Sequence, residues 1–129
     1  MSKLETPMIE KYWRKIGGTL IEEFLAVKRT YTNSQRLIDA VIIKNEKKRI
    51  VKRGEKVSFE GKDIICVQAK AKRLGMTLMG QAIFSPKLLE KFKPRSIKSV
   101  ALVTQNDSVL GPMLEQFPNV EVVVMPPKK

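Results

Sequence analysis

The sequence predicts a mixed α/β domain, with helices on both faces of a mixed sheet, and three observations predict it. Segments of helical and strand periodicity follow one another along 129 residues as helix, strand, a meandering run of strands, helix, strand, helix, strand. Two apolar, strand-like runs are interrupted by polar side chains, Asp39 in one and Gln68 with Lys70 in the other. No internal repeat, low-complexity interior or interdomain linker divides the chain, so one domain over residues 1–129 is expected.

Thr6-Pro7 opens the first expected helix, with Thr6 as N-cap and Pro7 at its first position. Met8, Ile9, Tyr12, Trp13 and Ile16 recur at helical spacing until Gly17-Gly18 stops it. Thr19 to Arg29 reads as a first strand and Leu37 to Lys44 as a buried second strand. A basic inserted hairpin is expected at about 44–62, including a short strand at Val57-Ser58-Phe59. Asp63 to Lys70 reads as the next strand, and a second helix covers Leu74 to Ser85 and resumes from Pro86 to Phe92. Gly75, Gly80 and Ala82 on that helix point to close packing on the sheet, since glycine costs a helix about 1 kcal/mol each. Ile97 to Thr104 is a strand, Ser108 to Phe117 a short helix and Val120 to Met125 a last strand, followed by a Pro126–Lys129 tail expected to fray.

Charge narrows the partners. Lys and Arg total 25 against 13 Asp and Glu, a formal +12. An excess of that size points to a polyanion, and DNA is expected ahead of a membrane because no long basic amphipathic helix or lipidation signal is present. No apolar run reaches the roughly 20 residues of a membrane span. Met1-Ser2-Lys3-Leu4-Glu5 lacks the apolar stretch of a secretory signal, and a cytoplasmic location is the expectation. The one cysteine, Cys66, has no internal disulfide partner and reads as a buried filler. Histidine is absent, which removes Ser-His-Asp, Cys-His and His-dependent nuclease chemistry. Carboxylates, amides, lysines and a hard metal ion are left.

Asp39 stands between Ile38 and Ala40 in an apolar strand, where a carboxylate costs several kcal/mol unless paired, neutralised or bound to metal. Residues 68 and 70 of one strand face the same way. If the two strands are neighbours, Asp39, Gln68 and Lys70 meet. Oxygens of Asp39, of Gln68 and of a nearby backbone carbonyl, that of Ala69, suit Mg2+ (or Mn2+), and Lys70 suits orienting or deprotonating a bound water. Singly, each has a structural explanation: Asp39 as a charge paired with Arg36 or Lys70, and Gln68 and Lys70 as the solvated end of a strand.

Residues 6–104 resemble the PD-(D/E)XK nuclease superfamily, which includes restriction endonucleases and Holliday-junction resolvases. The strand Arg36-Leu37-Ile38-Asp39-Ala40-Val41-Ile42-Ile43 matches the family's strand-two Asp, and Gln68-Ala69-Lys70 its (D/E)XK element, with Gln in place of the second acid. The resemblance implies a restriction-endonuclease-like mixed sheet flanked by helices, an α-β-β-β-α-β core plus a C-terminal α-β. It implies a metal-dependent DNA endonuclease that hydrolyses phosphodiesters, with Asp39, Gln68 and Lys70 catalytic and a further acid on the first helix, Glu10, among the metal ligands. Glu22 and Glu23 on the first strand compete for that last place, Glu22 in a catalytic one. Gln68 also leaves room for the alternative, a non-catalytic nucleic-acid-binding or assembly subunit on the same fold.

Lys47, Lys48, Arg49, Lys52 and Arg53 in the inserted hairpin, and Lys72 and Arg73 after the active-site strand, are the expected phosphate contacts. Aromatic residues are 6% of the chain and none alternates with the basic ones. A base-stacking platform is therefore not expected, and duplex or branched DNA is. One site per chain and two strands to cut imply a homodimer.

Overall fold

The computed structural model describes residues 3–126. Of the Pro126–Lys129 tail expected to fray, residues 127–129 lie outside the described residues. Helices α1 (Glu5–Ile16), α2 (Met76–Leu89) and α3 (Leu110–Leu114) flank one six-stranded mixed sheet. Its strands are β1 (Thr19–Val27), β2 (Arg36–Ile43), β3 (Arg49–Ile50), β4 (Asp63–Arg73), β5 (Ser96–Gln105) and β6 (Val120–Val124), in the spatial order β3-β1-β2-β4-β5-β6. β1, β2 and β4 run antiparallel to their neighbours in turn, whereas β4, β5 and β6 are parallel. Among the described residues no helix is long and apolar enough to cross a membrane.

α1 begins at Glu5 rather than after a Thr6 cap, and Leu4 at its N-cap makes no side-chain capping bond. Its apolar stripe buries Met8, Ile9 and Tyr12 against Ala40, Ile42, Ile65, Val67, Val100 and Leu102 on one face of the sheet. Gly17 and Gly18, at φ 78° and 87°, turn the chain into β1. At Gly18 no other residue fits, because a Cβ would lie 2.5 Å from the Ile43 carbonyl oxygen. The opposite face is covered by α2 and α3, with Leu78, Ala82 and Leu114 against Ala101 and Val103.

α2 is continuous through Pro86 where an interruption was expected. Proline removes the N–H that would bond the carbonyl of Ala82. The Ser99 hydroxyl of β5 donates to that carbonyl at 2.6 Å instead, so the helix keeps its line. The return expected for Gly75 and Gly80 is not found: a Cβ at either meets nothing within 4 Å.

The inserted hairpin is also different. Only Arg49–Ile50 form a strand, paired parallel with Thr19 and Leu20 of β1, and Val57-Ser58-Phe59 is not one. Phe59 instead anchors the segment by packing edge-on to Phe24 and Phe92, at ring centroid distances of 5.0 and 5.8 Å. A two-residue strand pairing at one end and aromatic contact at the other hold the insert.

Along β1 and β2 the pleat slips once. Ile21 and Phe24 belong to one apolar cluster although three residues apart, and so do Ile38 and Val41 on the partner strand. Glu23 takes φ 50° at the slip, between the pairs Glu22↔Ala40 and Phe24↔Ile38, and the register itself shifts further on, between Leu25 and Val27. Asp39 lies between Ile38 and Ala40, opposite the slip.

Candidate functional site

β2 and β4 are laddered from Ile43↔Ile64 to Ala40↔Val67, and there the ladder stops. Each strand keeps its other neighbour beyond that point, β2 pairing with β1 to Arg36 and β4 with β5 to Arg73. The sheet therefore forks between Asp39 and Gln68. Side chains span the opening. The Asp39 N–H donates to Gln68 Oε1 at 3.3 Å, and the Ala69 N–H donates to Asp39 Oδ2 at 2.9 Å. One step further, the Ala71 N–H donates to Glu5 Oε2 at 3.0 Å. In an extended strand the N–H and C=O of one residue point the same way, so the Ala69 carbonyl faces the same opening.

Burial raises the Asp39 carboxyl above its ordinary pKa, and the negative Glu5 adds to that. The Ala69 N–H and the charge of Lys70 pull it back down. Lys70 is thus close enough to act on Asp39, and it is half-buried on the far side of Ala69 from Gln68. Gln68 is 3% exposed. Its Nε2 donates to Ser85 Oγ of α2 at 2.6 Å while its oxygen holds the Asp39 N–H, so both ends of the amide are engaged. Gln68 is a strut between helix and fork. The thiol of neighbouring Cys66, buried and beside Asp39, is pushed up to about 12 and stays protonated and inert.

Of the expected residues, the fold brings Asp39, Gln68, Lys70 and the Ala69 backbone together. Glu10 and Glu22 meet each other instead. Glu22 is raised to about 7, first by burial, then by its hydrogen bond with Glu10 and the charges of Glu10 and Glu23. Its Oε2 is buried with no hydrogen-bond partner among the described residues. A carboxyl raised to about 7 beside another acid keeps its proton well above the ordinary carboxylate range. The α1 carboxylate whose field reaches Asp39 is Glu5, which sequence reasoning left outside the helix. Five residues of helix turn a side chain by about 140° and move it about 7.5 Å, so Glu5 and Glu10 serve different places. A helix start two residues earlier, at Glu5 instead of Pro7, would have placed Glu5 on α1.

Asp39, Glu5 and the Ala69 carbonyl form an oxygen-only donor set, which fits a hard divalent ion in kind. Among the described residues no three Asp, Glu or Cys side chains converge on one point. The backbone carbonyl and the ion's own waters would have to complete the shell, as they commonly do for Mg2+.

The basic residues divide into two groups. Lys72 and Arg73 are exposed on β4 beyond the fork. The insert is elsewhere: Thr19, which donates to the Lys47 carbonyl, pairs with Ile43, four residues or roughly 13 Å of strand from Asp39. Lys47, Lys48, Arg49, Lys52 and Arg53 therefore do not flank Asp39. Lys48 is bound to the Arg14 carbonyl at 3.1 Å and Arg49 is paired with Glu55, which leaves Lys47, Lys52 and Arg53 the more available cations. No protein-family model matches the chain, and no curated protein or solved structure proves similar to it.

Proposed function

We propose that this protein is a DNA phosphodiesterase of restriction-endonuclease-like organisation, with its reactive groups at the fork between β2 and β4. The observation that carries the reading is the fork itself. A buried strand pair gives up its ladder where it holds an acid, an amide and a lysine, and an acidic helix terminus closes on the same edge. Separating paired strands leaves backbone groups to be satisfied by side chains. Asp39 and Glu5 do this here, each carboxylate accepting one N–H of β4.

Asp39, Glu5 and the Ala69 carbonyl would hold a divalent ion, which when bound supplies a water of lowered pKa and charge to offset the phosphate. Gln68 orients Asp39 through its N–H and leans on Ser85. Lys70 offers a cation beside Asp39 to steady the charge that develops on the phosphate oxygens or to orient the attacking water. Lys72 and Arg73 extend positive charge from the site along the substrate backbone.

Incubation with supercoiled plasmid and branched DNA in Mg2+ or Mn2+ tests the reading. Cleavage is expected for the wild type, and Asp39→Ala and Lys70→Ala are expected to abolish it while still binding DNA. Wild-type protein that binds DNA and cuts neither substrate with either metal overturns it. A second reading, a non-catalytic DNA-binding or assembly subunit, is favoured by one observation: Gln68, where the resembling family carries its second acid, is 3% exposed and bonded at both ends. Asp39→Asn separates the two. In an active site it weakens Mn2+ binding and abolishes cleavage, whereas in a non-catalytic subunit neither the wild type nor the variant cuts and DNA binding is the same with or without metal.

A further inference from the structure

On the α2 side of the fork lies a cleft of about 550 Å3, within the range of sites that hold small ligands. Gln35, Arg36 and Leu37 wall it from the start of β2, and Gln81 and Phe84 wall it from α2. The buried Gln68–Ser85 hydrogen bond contributes to its lining, so the cleft adjoins the strut that holds Asp39.

Its chemistry stands apart from the rest of the surface. In a chain of formal charge +12, residues 74–86 carry no charged side chain. Phe84 is 64% exposed although it belongs to a helix packed on the sheet. A ring left in water offers a face for stacking. Gln35 and Gln81, both exposed, each present a donor and an acceptor in one plane, the pattern of a base edge. Arg36 adds a guanidinium, suited to two phosphate oxygens at once. Gly80, also in the lining, leaves the helix backbone bare toward open space. The β1–β2 loop that ends at Gln35 carries Tyr31 fully exposed, two residues beyond Arg29, so a second ring and further cations precede the cleft.

We infer that this cleft receives an unpaired nucleobase of the bound strand, stacked on Phe84, with its edge met by Gln35 and Gln81 and its phosphate by Arg36. The inference rests on the nucleic-acid reading above and names its substrate class: DNA with an unstacked base, as at an overhang, bulge or junction. It revises the expectation drawn from sparse aromatic composition, because one exposed ring in a polar cleft suffices for one base.

The test uses three labelled DNAs of equal length: an uninterrupted duplex, the same duplex with one unpaired nucleotide, and that DNA with the unpaired base removed to leave an abasic position. Each is titrated by fluorescence anisotropy in EDTA, so that nothing is cut, and the free protein is sedimented in parallel. The unpaired base is expected to bind roughly 5- to 150-fold tighter than the other two, the worth of one base stacked on an aromatic ring. Phe84→Ala and, to a smaller extent, Gln81→Ala are expected to bring the three affinities together. Equal wild-type binding to all three DNAs overturns the inference, as does a preference that survives both substitutions. A dimer that Phe84→Ala converts to monomer, with the DNA preference intact, gives the face to a second copy and likewise overturns it. No binding to any DNA sinks the nucleic-acid reading with it. A preference for the unpaired base in a protein that never cuts sinks only the catalytic reading.

Discussion

Asp39 on β2 and Glu22 on β1 are almost neighbours in register, Glu22 facing Ala40, yet the fold accommodates the two carboxyls by different means. Burial raises both. Around Asp39 the Ala69 N–H and the charge of Lys70 oppose that rise. Around Glu22 everything adds to it: Glu10 by hydrogen bond and charge, Glu23 by charge. Donors around a carboxyl support its charged form against burial, whereas a second acid set against it favours the protonated form. Glu22, raised to about 7, joins α1 to the sheet through Glu10, and Asp39 stands among donors in the fork. The difference teaches that acidity alone does not mark a site here; the company of each acid does.

The strongest way to break this contrast is Gln68→Ala. It removes the acceptor for the Asp39 N–H and the donor to Ser85 and leaves a buried gap, so a loss of about 2–4 kcal/mol is expected in urea unfolding. A loss under about 1 kcal/mol would mean the fork is held without its strut. Asp39→Asn sharpens the contrast next. An amide oxygen still accepts the Ala69 N–H, so stability should stay within about 1 kcal/mol while cleavage of plasmid DNA falls to background. An Asn variant that cuts like wild type would move the reactive group off Asp39.

The smallest expected effect concerns pH. Glu22 has a folded pKa of about 7 against an ordinary 4.5, so the folded chain holds a proton that the unfolded chain releases between those values. The stabilisation is complete below about pH 4.5 and is lost as pH rises through about 7. Glu22→Gln should flatten thermal stability across that window, with a gain at pH 8 on the order of 1 kcal/mol after allowing for solvent screening. Asp39, also raised, gives a residual slope of the same sign. Superimposable pH profiles for variant and wild type would mean that Glu22 is not raised by its surroundings.

Much of the sheet could be read along the chain. The strands holding Asp39 and Gln68 were expected close to where β2 and β4 run, and both are held by apolar runs whose period is local. Their adjacency was a condition in that reading, and β2–β4 pairing supplies it. The start of α1 was less legible: the helix begins two residues before the expected Pro7, and that puts Glu5 on it, where its carboxylate meets the Ala71 N–H. The insert misled because basic turns and short apolar pairs resemble a hairpin locally, whereas the packing of Phe59 on both Phe24 and Phe92 is a long-range contact. Proximity of the insert to Asp39 depended on strand direction, which composition does not encode.

The sequence by itself determined the mixed α/β class, the formal charge of +12, the absence of histidine chemistry and the polar residues that interrupt two core strands. Those properties live in residue identity and short periods. Only the tertiary structure decided that the two strands part at Asp39, that Gln68 braces the gap, that Glu22 pairs with Glu10, and that Phe84 and two glutamines border a common cleft. The physical reason is that a carboxyl's charge and an amide's role depend on which distant donors and acids surround it, and folding alone brings those neighbours into reach.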